Sequence, residues 1–245
     1  MATEVAESRR PREVRQGLLA RLLTTIAQGI KWLLLSLLFS IVIEWVGMTL
    51  WWPAEGLEHS RAMLVTEIGY LQADFGRSLV SSDPARFTRN VADRTYYLLF
   101  EFTHLSDFIA WVGRTPEPAD PRLRRWLHSV FRPIADYVLA AMQVTQIFSV
   151  RLAVLALAMP VFLMFTLVAI VDGLVRRDLR RWGGGRESSF VYHWAKRSAL
   201  PLLVLTWVIY LSLPFSLHPS FVVLPFATLF ALSVAVTAST FKKYL

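Results

Sequence analysis

Apolar residues along this chain gather into long, nearly uncharged runs, and the lengths of those runs set the first expectation. Between Lys31 and Glu55 the stretch from Trp32 to Trp52 carries one charge, Glu44. Its 21 residues would rise roughly 31 Å as a helix, one hydrocarbon thickness. Trp51, Trp52 and Pro53 close the run, because indoles suit a membrane interface and proline ends a helix. A second run, Leu152 to Val171, lies uncharged between Arg151 and Asp172, with Pro160 placed to kink it. From Ser198 to Phe241 there are 44 residues without a formal charge, too many for one crossing and enough for two. The turn between them is PFSLHPS, Pro214 to Ser220, where proline and serine cluster around His218. This pattern predicts transmembrane segments at 32–52, 152–174, 198–217 and 220–241.

The segments between the runs read differently. Residues 53–151 predict three helices, at about 57–80, 84–112 and 121–150, separated by SSDP and RTPEPADP. In the first, Leu57, Met63, Leu64, Ile68, Leu71, Phe75 and Leu79 share one face and require a partner. The middle helix carries Tyr96, Tyr97, Phe100, Phe102, Phe108 and Trp111, an aromatic set expected to pack as core. The third runs into the second span with only Pro133 to interrupt it, which predicts one long helix emerging from the membrane. Ahead of the first span, within residues 1–31, Val14, Leu18, Leu19, Leu22, Leu23, Ile26 and Ile30 repeat every three to four residues with Arg15, Arg21 and Lys31 between them. That is a basic amphipathic segment, suited to an anionic leaflet or to a partner helix. The first 16 residues lack a short apolar core ending in small residues, so the first span is expected to stay as an anchor.

Composition agrees with a membrane protein: 55% of the 245 residues are hydrophobic and 18% charged, whereas a soluble domain carries about a quarter charged. The net charge of +8 would suit nucleic acid, but basic flanks of membrane spans explain it first. Lys and Arg are distributed one-sidedly. Residues 176–197 hold seven, the N-terminal flank holds Arg9, Arg10, Arg12, Arg15, Arg21 and Lys31, and the C-terminus holds Lys242 and Lys243. The turn between the third and fourth spans has none, and residues 53–151 balance eleven basic against eleven acidic side chains. Both termini and a basic loop at 175–197 are therefore expected in the cytoplasm, with 53–151 outside and 242–245 as a short inner tail. The fold class is an all-α integral membrane protein of about four transmembrane helices, with a helical extracytoplasmic domain between the first and second.

Candidate chemistry is sparse. Cysteine is absent, and the five histidines are dispersed without HExxH or an i, i+4 pair, so neither a metal nor a cofactor is expected. No nucleophile motif stands out, and the chain is read as not an enzyme. Glu44 is the one acid well inside a span, a costly position. Arg151, at the start of the second span, is its expected ion-pair partner, as a structural anchor. The most distinctive stretch is VDGLVRRDLRRWGGGRESSFVYHWAKR, Val171 to Arg197. Arg176, Arg177, Arg180, Arg181 and Arg186, around the Gly183, Gly184, Gly185 turn, form the expected contact region for membrane lipids or a protein partner. Its glycines lack the following Gly-Lys-Ser/Thr of a nucleotide loop. Trp182 and Trp194 among arginines leave DNA contact open as an alternative.

The run from Val171 to Arg197, most specifically Arg177 to His193, resembles the signature of a family of membrane proteins encoded by integrating conjugative elements. The similar layout of one span, a long loop and three later spans extends over most of the chain. The resemblance implies the bacterial inner membrane, a periplasmic domain, and an accessory role in conjugative DNA transfer beside a type IV secretion channel. The coupling ATPase or channel proteins would be the partners. It implies no catalytic residue. A transport or channel subunit is the alternative.

Overall fold

The computed structural model describes residues 18–74, 83–117, 120–183 and 189–241. Their regular structure is helical: α1 (Leu18–Leu50), α2 (Leu57–Asp74), α3 (Pro84–Tyr96), α4 (Leu105–Gly113), α5 (Arg122–Phe131), α6 (Ala135–Trp182), α7 (Ser189–Ser212) and α8 (Pro219–Thr240). The chain divides into two units, Met1–Leu35 and Ser36–Leu245. In the first, residues 18–35 are helical, with Leu19, Leu22, Leu23, Ile26 and Ile30 exposed. The basic amphipathic stretch thus runs straight into the first apolar run as one helix of 33 residues, without a break at Lys31. Residues 1–17 lie outside the described part.

Three stretches are long and apolar enough to cross a membrane: Leu19–Leu50, Pro219–Thr240, and a segment within Arg122–Trp182. The expected 198–217 span is shorter than its sequence suggested. Pro214 cannot continue a helix, α7 stops at Ser212, and Arg197 limits it on the other side. Fifteen uncharged helical residues, Ser198 to Ser212, rise only about 22 Å.

The second unit is organised on α6. This helix has 48 residues and a length of about 72 Å. It does emerge from the expected second span as one helix, preceded at Arg132–Ile134 by a single 3-10 turn where Pro133 sits. Pro160 lies inside it and leaves the Ala156 carbonyl without its helical N–H partner. Along its first half α6 packs against α2 and α3, and along its second against α8. Ala158 and Phe162 of α6 meet Val223 and Ala227 of α8, and Leu203 of α7 seals that core. Further along, α8 comes so close that a Cβ on Gly173 would lie 2.5 Å from the Ala235 carbonyl oxygen and 2.7 Å from the Ala238 methyl. Glycine is the residue that permits this approach.

The two halves of α6 have different surroundings. Beside the first half, α3 exposes Arg86, Arg89, Asp93 and Arg94, and α2 exposes the ion pair Arg61–Glu58. The second half itself exposes Leu163, Met164, Leu167, Val168 and Val171, each more than half accessible.

Local signals account for the smaller helices. The Asp83 carboxylate accepts the Arg86 N–H at 2.9 Å and Pro84 opens α3, a standard start. The single helix expected at 84–112 is interrupted: a π turn occupies Tyr97–Glu101, and His104 takes a left-handed φ of 54° before α4 begins. The extra residue of the π turn splits the aromatic set. Phe100 is buried with Ile109 and Met142, and Tyr96 packs on that cluster, whereas Tyr97, Phe102, Phe108 and Trp111 remain exposed. At the end of α1, the Trp52 indole folds back against Gly47, and the Trp52 backbone N–H donates to the Gly47 carbonyl at 2.9 Å.

Gly173→Ala should lower the detergent melting temperature of the protein, by overpacking worth about 1–3 kcal/mol. Gly69→Ala, in α2 where nothing lies within 4 Å of the added carbon, should be neutral or stabilising by up to about 1 kcal/mol. Equal shifts in thermal unfolding would contradict the close α6–α8 contact.

Candidate functional site

Arg151 lies in the first half of α6 with its side chain almost wholly removed from solvent, and the surroundings supply acceptors on every side. Its Nε and Nη2 donate to Glu67 Oε1 at 3.0 and 2.8 Å. Nη1 donates to the Leu213 carbonyl at 2.5 Å and Nη2 to the Phe215 carbonyl at 2.9 Å. Those carbonyls are free because the chain between α7 and α8 is not helical, so their lone pairs have no ladder partner. The Tyr210 hydroxyl donates to Glu67 Oε2 at 3.2 Å, and the Arg151 guanidinium stands 5.6 Å from the Tyr210 ring centre. Glu67 and Tyr210 are as buried as Arg151. The Ser216 hydroxyl adds a bond to the Met63 carbonyl, which ties the α7–α8 turn to α2.

The ion pair expected between Glu44 and Arg151 is therefore not the one formed. Glu67, projecting from α2, takes the guanidinium, and Glu44 faces His59 instead: His59 Nδ1 and Glu44 Oε1 are 3.1 Å apart. The His59 ring stacks on Trp52 at 4.0 Å, so the fold-back at Gly47 positions the histidine for Glu44. Glu44 Oε2 is buried without a hydrogen-bond partner among the described residues. It borders a cavity of about 10 Å³, room for about one water, lined by Ser40, Glu44, Met63, Phe148, Arg151 and Pro214. One helical turn away, the Ser40 hydroxyl donates to the Leu211 carbonyl at 2.9 Å, and Ser60 donates to Gln143 at 2.6 Å.

This centre joins α1, α2, α6 and α7, and each nitrogen of the Arg151 guanidinium is committed to a protein acceptor. Its chemistry is that of a clamp. Glu67 was legible in one respect: it stands four residues after Met63, on the face that also carries Leu64 and Ile68, and an acid on an apolar helical face needs a buried cation. What the sequence does not show is that α2 runs beside Arg151.

The second candidate region is the basic segment. Its first part is helical: α6 continues to Trp182, so Arg176, Arg177, Arg180 and Arg181 are on a helix end. Arg176 pairs with Asp172 at 2.8 Å and Arg177 with Asp178 at 3.2 Å. Arg180 is half-buried and donates to the Ser239 carbonyl near the end of α8. Arg181 is exposed and makes no ion pair among the described residues. Gly183 ends α6, its N–H donating to the Leu179 carbonyl at 3.0 Å. Gly184, Gly185 and Arg186 lie outside the described residues. Among those described, no group of three His, Asp or Glu side chains could hold a metal ion.

Removing one partner of the buried pair should be severe, because the other charge is then left in the interior. Glu67→Gln should cost about 3–5 kcal/mol, and Glu44→Gln, which keeps an acceptor for His59, clearly less. Replacing the pair together, Glu67→Leu with Arg151→Met, should recover part of the loss in thermal unfolding. A larger effect at Glu44 than at Glu67 would reverse this ranking.

No curated protein and no solved structure matches the chain. The family model described as "IncC plasmid conjugative DNA transfer protein DtrJ-like" matches residues 51–242. That stretch contains α2 to α8, the Arg151–Glu67 clamp and the whole basic segment. A match over most of its length, through both candidate regions, means that the chain belongs to the DtrJ-like family of conjugative DNA transfer proteins.

Proposed function

We propose that this conjugative transfer protein is a non-enzymatic component of the bacterial inner membrane that assembles with the transfer apparatus, with the coupling ATPase as its main partner. The family match over residues 51–242 carries the reading. The membrane-length helices and the resemblance of Val171–Arg197 to proteins of integrating conjugative elements support it. Four crossings are proposed, by α1, α6, α7 and α8, with both termini in the cytoplasm. The absence of Lys and Arg from the α7–α8 turn and their abundance at 176–197 favour that orientation.

The bilayer boundary on the outer side is placed near Arg151. Exposed charges on α2 and α3 flank α6 before that residue, and exposed leucines and valines follow it, which is the order expected on passing from water into lipid. α7 is the short member, and the clamp compensates by drawing the α7–α8 turn onto Arg151. The outer helices α2–α5 then form the periplasmic domain. A clamp whose guanidinium nitrogens are all engaged favours a scaffold over a reaction centre. Arg176, Arg177, Arg180, Arg181 and Arg186 with the glycine turn are the proposed docking region on the inner side.

The test is affinity recovery of the tagged protein from a conjugating donor. Wild type should bring down the coupling ATPase. Arg176→Ala, Arg177→Ala, Arg180→Ala and Arg181→Ala in one chain should abolish that recovery and lower transfer frequency at least tenfold, while membrane level and melting temperature control for loss of the Arg180–Ser239 bond. Intact recovery and transfer in the variant would remove the docking assignment.

A further inference from the structure

The arginines at the end of α6 share that helix with an apolar stripe that does not stop where the charges begin. Val168, Val171, Val175, Leu179 and Trp182 are spaced by three, four, four and three residues, so they lie on one face. All are more than half exposed, rising to 91% at Trp182. The lower two, Leu179 and Trp182, stand among Arg176, Arg177, Arg180 and Arg181. On this stripe's two sides, at 100° per residue, come Arg176 and Arg181. A stripe meant for water would turn polar after Asp172.

Distance along the helix says what covers it. From Arg151 to Trp182 is 31 residues, about 46 Å, against about 40–45 Å for a bilayer with its headgroups. Trp182 thus falls at the headgroup edge opposite Arg151, where indoles concentrate. The start of α7 repeats the pattern: Phe190 and Trp194, 79% and 67% exposed, share a face with Arg197. Basic side chains beside an exposed apolar stripe can lay their stems on it and lift their charges to phosphate level.

We infer that Arg176 and Arg181, flanking the Val175–Leu179–Trp182 stripe of α6, bind the headgroups of anionic phospholipids in the leaflet opposite the Arg151 clamp. The site rests on the reading that α6 crosses a bilayer, and it sorts the basic cluster by task. Arg180 ties α6 to α8, and Arg176 and Arg181 hold lipid, with Arg176 exchanging its contact to Asp172 for phosphate. Partner docking then falls to Arg177 and to the segment beyond Gly183.

The experiment uses the full chain in phosphatidylcholine proteoliposomes with spin-labelled phosphatidylglycerol or spin-labelled phosphatidylcholine as probe. Wild type should immobilise phosphatidylglycerol several-fold in preference. Arg176→Gln with Arg181→Gln should reduce that preference by up to about fivefold per arginine, and Arg176→Lys with Arg181→Lys should keep most of it. The chain has no cysteine, so a spin label on Trp182→Cys reports depth in an otherwise unaltered protein. It should be relaxed by a nickel-chelating lipid. No preference in wild type, an unchanged preference in the Gln variant, or relaxation of the label by nickel in bulk water alone would overturn the site. If the lipid preference falls while the coupling ATPase is still recovered with the same Gln variant, the lipid site stands and docking lies elsewhere. If recovery is lost with the lipid preference intact, the docking reading stands and the lipid site falls.

Discussion

A guanidinium buried at Arg151 is the constraint to which the second unit is built. Taking such a cation out of water costs several kcal/mol even after relaxation, and only a full set of acceptors makes the position tolerable. Glu67 supplies the charge and the open turn after α7 supplies carbonyls that no helix is using. Satisfying one residue of α6 therefore fixes where α2 must lie, where α7 must end and how the chain turns into α8. The adjacent Glu44–His59 contact extends the same logic to α1, with Trp52 holding the histidine in place.

Much of this was legible as pattern. The apolar runs locate α1, α6 and α8, and Pro133 falls where α5 gives way to α6 through one 3-10 turn. What failed were inferences about partners across space. Glu44 and Arg151 stand out in sequence because each interrupts or borders an apolar run, and pairing them is reasonable on charge alone. Glu67 stands out less: its place on the apolar face of α2 is a hint, but α2 also carries Arg61 and Glu58, among which one more acid looks solvated. Which cation it meets follows from tertiary packing that has no local signature.

Element boundaries have local reasons. Nothing between Val175 and Trp182 breaks a helix, and Arg, Asp and Leu are compatible with one, so α6 runs on to Trp182 and ends where the glycines begin, at Gly183. One boundary that shifted is the π turn at Tyr97–Glu101, which divides a stretch whose composition is continuous. Phe100 there faces the core while Tyr97 and Phe102 stay outside.

Pro160 gives α6 a mechanical character. The helix consists of two stiff arms, about 38 Å from Ala135 and about 33 Å to Trp182, joined where one backbone hydrogen bond is missing. Bending at that joint by about 10° would swing the far end of the second arm through about 6 Å, given its length. One arm is gripped by α2 and α3 and the other by α8. Any bending of this one continuous element is therefore concentrated at Pro160, between an arm held by α2 and α3 and an arm held by α8.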